Sequence, residues 1–223
     1  VDASVTIAGA RYCHRRPLAR LHTGGVDTET AQLFFGLLAL AAGFGAISLI
    51  VLRIAAAAGN DGAARLGSSI SEAGVWLAFL VAAGATLGSL YFSEVAGFNP
   101  CRLCWFQRIA MYPLAPILLV GALRRDPDVR WYAVPLAAIG AAISGWHTLI
   151  EWRPALDNGE CSLTGPSCTF VWFRQFGFLT LASMALIGFL TVLILLLVRF
   201  PARLDPSSSA HEPASEPEME PST

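Results

Sequence analysis

The chain alternates between long apolar runs and short polar breaks. Stretches free of Asp, Glu, Lys and Arg cover Ala31–Leu52, Ala73–Ser93, Trp131–Ile150 and Gln175–Val198. A fifth run, Cys104–Leu123, carries a single charge, Arg108. Each run holds 20 to 24 residues. About 20 residues of helix cross a hydrocarbon core about 30 Å thick. The pattern therefore predicts five spans and an all-α, polytopic membrane helical bundle. Residues 59–72 (GNDGAARLGSSISE) read as a polar Gly/Ser loop, and residues 124–130 (RRDPDVR) as a tight basic loop. Before the third span, Asn99 offers an N-cap, and Pro100 suits a first helical position that needs no amide donor. That span then begins at Cys101, and Pro113 and Pro116 predict a kink within it. Residues 205–223, rich in Pro and Glu, cannot bury enough apolar surface to fold and read as a disordered tail.

Composition narrows the class. Of 223 residues 55% are hydrophobic and only 14% charged, against about 25% charged in a soluble domain. A soluble enzyme, a secreted disulfide scaffold and a single-anchor protein are excluded. The first run is too long for a signal peptide, whose apolar stretch is about 7–15 residues. All 15 basic residues are arginine, and they sit at helix ends and in loops rather than in a stripe. That argues against nucleic acid as a partner and leaves membrane lipid as the surrounding medium.

Arginine placement orients the bundle. With the cysteine loops outside, the inner side holds Arg53, Arg65, Arg124, Arg125, Arg130, Arg199 and Arg203. The outer side holds Arg102, Arg108, Arg153 and Arg174. Arg11, Arg15, Arg16 and Arg20 in the N-terminal tail run against this assignment. The chain opens on Val, as a literally translated GTG codon would give. A start at Val26 would remove the conflict by leaving a short uncharged-by-Arg tail, VDTET.

Four of the five cysteines form two local pairs, Cys101/Cys104 and Cys161/Cys168, at the mouths of spans. Cys13 has no local partner and reads as incidental. In Cys101-Arg102-Leu103-Cys104-Trp105-Phe106-Gln107-Arg108, Cys104 falls in the first turn of a helix, where the backbone dipole favours a thiolate. Arg108 lies four residues on and shares its face. An arginine inside a span is costly and is by default a functional candidate; the plain alternative is an interfacial anchor. Cys161 and Cys168 flank a Gly165-Pro166 turn and would close a small loop, which suits either a labile bond or a structural staple. His147, near the outer end of the fourth span, is either a packed histidine or part of the same site. Its depth matches that of Arg108 and both cysteine loops. The Gly and Ala of the first span suit close helix packing.

The C-R-L-C-W-F-Q-R string at the start of a helix resembles the signature of the DsbB/BdbC-type disulfide bond formation proteins. These are four-span membrane thiol:quinone oxidoreductases of the kind that keep the bacterial periplasm oxidising. WHTLIE around His147 and GFLT at Gly177–Thr180 are similar to family segments, and the resemblance covers Ala73–Val198. It implies a four-helix redox core over 73–199. That leaves 31–58 as an extra transmembrane helix, 1–30 as an N-terminal tail and 205–223 as a disordered one. It also implies a cell-membrane protein with both cysteine pairs on the extracytoplasmic side. The partner would be an extracytoplasmic thioredoxin-fold thiol oxidase, and the cofactor a quinone from the membrane pool, ubiquinone or menaquinone.

By resemblance, Cys161 would be attacked by the reduced partner and Cys168 would exchange with Cys101. Cys104 would be left as a thiolate facing the quinone. Arg108 would stabilise that thiolate and a quinone oxygen, and His147 would help hold the quinone. The chain departs from the family in its extra first span, in the short Cys161–Cys168 spacing, which is closer to Gram-positive-type members, and in Ala182, where a proline is expected. Two other readings exist. One is a vitamin K epoxide reductase-like enzyme. The other is a non-enzymatic protein stapled by zinc on Cys101, Cys104, Cys161 and Cys168.

Overall fold

A computed structural model describes residues 27–156 and 166–200. Among these the secondary structure is helical apart from one isolated β-bridge. Six α-helices follow in order: α1 (Thr28–Ala57), α2 (Asp61–Glu72), α3 (Gly74–Leu90), α4 (Arg102–Arg124), α5 (Val129–Trp152) and α6 (Leu181–Leu197). A π-helical turn, Tyr91–Val95, extends α3. With it, α1, α3, α4 and α5 are each long and apolar enough to cross a membrane. The chain is thus an all-α, multi-pass helical bundle.

Helices α3, α4, α5 and α6 pack as a ring, each against its sequence neighbour, and α6 closes back onto α3. Their core is built from Ala78, Ala82, Met111, Leu114, Leu118, Ala133, Ala137, Phe189 and Val192. Larger apolar side chains such as Phe34, Phe44, Ile54, Leu80 and Trp131 point outward. Lipid gives no hydrophobic drive to bring helices together, so small residues that permit close approach set the contacts. A Cβ at Gly140 of α5 would collide with the Phe189 ring of α6, and one at Gly121 with Val129. Gly140→Val is therefore expected to destabilise the bundle by about 1–3 kcal/mol, the usual cost of overpacking. Thermal unfolding in detergent measures this, and an unchanged midpoint would show that Phe189 swings aside freely.

Two elements differ from the sequence pattern. Residues 59–72, read as a loop, contain the helix α2. The Asn60 side chain caps it by accepting from the Ala63 N–H at 3.0 Å. Ala63 and Gly67 recur on its buried face, and Phe200 sits where a Cβ on Gly67 would be. Small residues at helical spacing, rather than bulky ones, form this apolar face, so composition hid the periodicity. The last helix begins at Leu181, not Gln175. Residues before it form a tight turn in which Gln175 and Leu179 pair, with Phe176 and Gly177 at positive φ (53° and 81°). Thr180 then caps α6, accepting from the Ser183 N–H at 3.2 Å. At 17 residues α6 is about 26 Å long at 1.5 Å per residue.

Candidate active site

The site lies at the end of the bundle where α4 and α6 begin and α5 finishes. Cys101, not Asn99, is the N-cap of α4. Its backbone is extended (φ −73°, ψ 174°), which turns the sulfur back over the first turn, where it accepts from the Cys104 N–H at 3.3 Å. The same geometry brings the two sulfurs to 2.9 Å, with the Cys101 thiol donating. The C-x2-C spacing therefore both caps the helix and pairs the thiols. Cys101 and Cys104 are free thiols. Cys161 lies outside the described residues.

Cys101 is buried, and its thiol is pushed up to about 12, foremost by the hydrogen bond it gives to Cys104; a hydrogen bond with Cys168 works in the opposite direction. Cys168 is placed beside Cys101 by His147, whose Nε2 lies 3.1 Å from the Cys168 carbonyl and 3.7 Å from the Cys101 sulfur. The thiolate is the reacting species. Raised from 9.0 to about 12, the Cys101 thiol is ionised roughly a thousand-fold less than an ordinary one near pH 8. Iodoacetamide at pH 8 is accordingly expected to label Cys104 of the reduced protein well before Cys101. Peptide mass spectrometry reads the order, and Cys101 labelled first would contradict it.

His147, on α5, faces these thiols. The Gln107 side-chain amide donates to Nδ1 at 3.0 Å, which leaves the proton on Nε2. Nε2 donates to the Cys168 carbonyl at 3.1 Å and stands 3.7 Å from the Cys101 sulfur. Glu151, one turn further along α5, places Oε1 3.9 Å from Nε2. Its other oxygen accepts from the Thr180 hydroxyl at 2.6 Å. The WHTLIE and GFLT segments are thereby joined through Glu151 and Thr180, both buried. Sequence reasoning passed over Gln107, Glu151 and Thr180 as site residues. Glu151 left one signal, its position four residues after His147.

Arg108 faces the opposite side of Cys104. Its Nε donates to the Ser89 hydroxyl at 3.0 Å and an Nη to the Ser89 carbonyl at 3.1 Å, and Tyr112 also donates to the Ser89 hydroxyl at 3.3 Å. Its guanidinium lies 5.2 Å from the centre of the Trp105 ring. Cys104, Gln107, Arg108, Ser89, Asn99 and Tyr112 form the polar end of a groove of about 540 Å³ whose other walls are apolar but for Ser48 and Thr191. Cys104 therefore belongs to two compartments, the thiol cluster and the groove, whereas His147 sits in the first. A stack of rings braces the boundary: Phe98, just before the cysteine motif, lies parallel to Trp172 at 4.6 Å and to Phe92 at 5.7 Å.

Cys101, Cys104 and His147 also have ligand atoms within 4.8 Å of one another. Two soft thiolates and an imidazole suit zinc. The four-thiolate staple, however, calls on Cys161, outside the described residues.

Comparison with known proteins gives a consistent result. Residues 71–199 match the family model described as disulfide bond formation protein DsbB. The chain is 42% identical over 120 residues to disulfide bond formation protein C of Bacillus subtilis, covering 54% of this chain and 87% of that protein. It is 42% identical over 122 residues to a "Probable disulfide formation protein C 2" of Bacillus cereus, covering 55% and 87%. It is also 42% identical over 123 residues to a "Probable disulfide formation protein" of Metapseudomonas resinovorans, covering 55% and 85%. No solved structure matches.

Proposed function

The chain belongs to the DsbB family of disulfide bond formation proteins, and from that premise we propose that it oxidises a thioredoxin-fold thiol oxidase outside the cytoplasm and passes the electrons to a membrane quinone. The observation that carries this reading is the double exposure of Cys104, to Cys101 on one side and to an apolar groove with Arg108 on the other. The residues present suit a quinone: apolar walls for the ring and tail, with cationic and hydroxyl donors at the thiol end. With the N-terminal tail set aside, arginine counting favours the cysteines on the outer face.

The cycle starts from the oxidised form, in which Cys101 is joined to Cys104 and Cys161 to Cys168, whereas the structure shows Cys101 and Cys104 as the reduced pair. A partner thiolate attacks Cys161, breaking its bond to Cys168 and forming a mixed disulfide. The partner's second thiol resolves that bond and leaves as part of the partner's own disulfide. Cys168 then attacks Cys101, whose bond to Cys104 breaks, and Cys104 leaves as the thiolate beside Arg108. Cys161 next attacks Cys168 and releases Cys101, so the pair Cys101/Cys104 carries two electrons. Bound quinone supplies the acceptor for those two electrons and two protons. The net exchange is partner dithiol plus quinone to partner disulfide plus quinol.

His147 has a further part beside the quinone-holding one that the resemblance implies. Its contacts suit orienting Cys168, by holding that residue's carbonyl while Gln107 and Glu151 fix the ring. The test is steady-state quinone reduction, followed by ultraviolet absorbance, with a reduced thioredoxin-fold protein and either a ubiquinone or a menaquinone analogue. Turnover lost in Cys161→Ser supports entry through Cys161. Normal turnover in that variant means the partner enters elsewhere.

A further inference from the structure

The thiol chemistry uses α3 to α6 and leaves α1 without a task. This helix precedes residue 71, where the family match begins. It packs on α2 and on α6. Along α6 a Cβ on Gly43 would be 3.1 Å from Ile187, and at the turn before α6 one on Gly36 would be 3.3 Å from Leu179. Helix α3 packs on α6 as well. Near the thiol end α1 and α3 close on each other, and a Cβ at Gly88 would lie 2.9 Å from the Phe35 ring. Beyond that point they flank the groove, with α4 and α6 as its floor.

Resting on the quinone reading above, we propose that α1 is the outer wall of the channel for the isoprenoid tail of the quinone, so that preference for a long-tailed quinone resides in a helix outside the family match. Three observations converge. The groove-lining positions of α1 run from Phe35 to Leu52, about 25 Å at 1.5 Å per residue, which is most of a hydrocarbon core about 30 Å thick. A ring at Cys104 needs only one end of that length, and the rest suits a long apolar chain. The groove is continuous with Cys104 and Arg108, which ties its occupant to the redox site rather than to bulk lipid. Finally, the middle of α1 lines the groove with small residues, Ala39, Ala42, Gly45 and Ala46, between Phe35 and Leu38 at one end and Leu49 and Leu52 at the other, while Phe44, Ile47 and Ile54 face outward. Gly45 does not serve close helix packing, as its composition suggests, because a Cβ there would meet nothing within 4 Å.

The test is equilibrium binding to the full chain in detergent, read by quenching of tryptophan fluorescence, with a long-tailed quinone and with its tail-less ring. Trp172 lines the groove. Gly45→Leu and, separately, Ala42→Leu narrow the channel, and Ile47→Phe alters the outward face as a control. Either channel variant is expected to weaken the long-tailed quinone about ten-fold, the equivalent of about two buried methylenes. Binding of the tail-less ring stays constant, and Ile47→Phe changes neither. Equal affinity for both quinones in the wild type, or parallel loss of both in the variants, overturns the assignment of α1 while leaving the quinone reading intact. A wild type that binds neither quinone overturns both.

Discussion

Replacing Cys104 by serine is expected to abolish quinone-linked turnover, by about a thousand-fold or more, as loss of a reacting sulfur generally does. The reason is positional. Cys104 is the one sulfur among the described cysteines that lines the groove as well as touching Cys101. A hydroxyl in its place can neither form the disulfide with Cys101 nor carry the electrons onward. Helix α4 itself is spared, since its cap is the Cys101 sulfur and the capping donor is the backbone N–H of residue 104. His147 still holds Cys168 beside Cys101 in this variant, so a Cys101–Cys168 disulfide is expected to accumulate after exposure to an oxidised partner. Non-reducing peptide mapping detects it. Turnover near the wild-type rate would remove Cys104 from the electron path.

Arg108→Ala gives the second large effect and separates the two compartments. Its guanidinium is held by Ser89 on the groove side of Cys104, away from His147 and Cys168. Loss of one charge-assisted hydrogen bond is worth about 1.5–3 kcal/mol, or roughly ten- to a hundred-fold in rate. Quinone reduction should fall by that factor, while exchange between the partner and Cys161, Cys168 and Cys101 proceeds normally. Single-turnover mixing separates the steps: disulfide transfer is read by thiol trapping and quinone loss by absorbance. Slowing of both in parallel would mean that Arg108 acts by holding α3 against α4 through Ser89, a packing role that long arginine stems also serve.

The spans were legible because membrane helices announce themselves by the absence of charge, a signal each carries alone. Helix α2 was not legible in the same way. Its apolar face is made of Ala63 and Gly67, and its partner, Phe200, is more than a hundred residues away in the chain. The cysteine motif and Arg108 could be found because their relation is local, within one turn of a helix. Gln107 to His147, Glu151 to Thr180 and Arg108 to Ser89 each cross between helices. A single sequence holds no record of such pairs. The same limit explains His147: its depth was readable, but the side of Cys104 on which it lies depends on how α5 packs against α4.

The central claim is that electrons leave the thiols for a quinone through Cys104. The most direct measurement is anaerobic mixing of fully reduced protein with one equivalent of quinone, with no partner present. Quinol is followed by absorbance and the Cys101–Cys104 disulfide by thiol trapping. The account predicts one quinol and one new disulfide per protein in the wild type, and neither in Cys104→Ser. Thiols that stay reduced beside unreacted quinone in folded wild-type protein, or quinol formed equally well by Cys104→Ser, would contradict it.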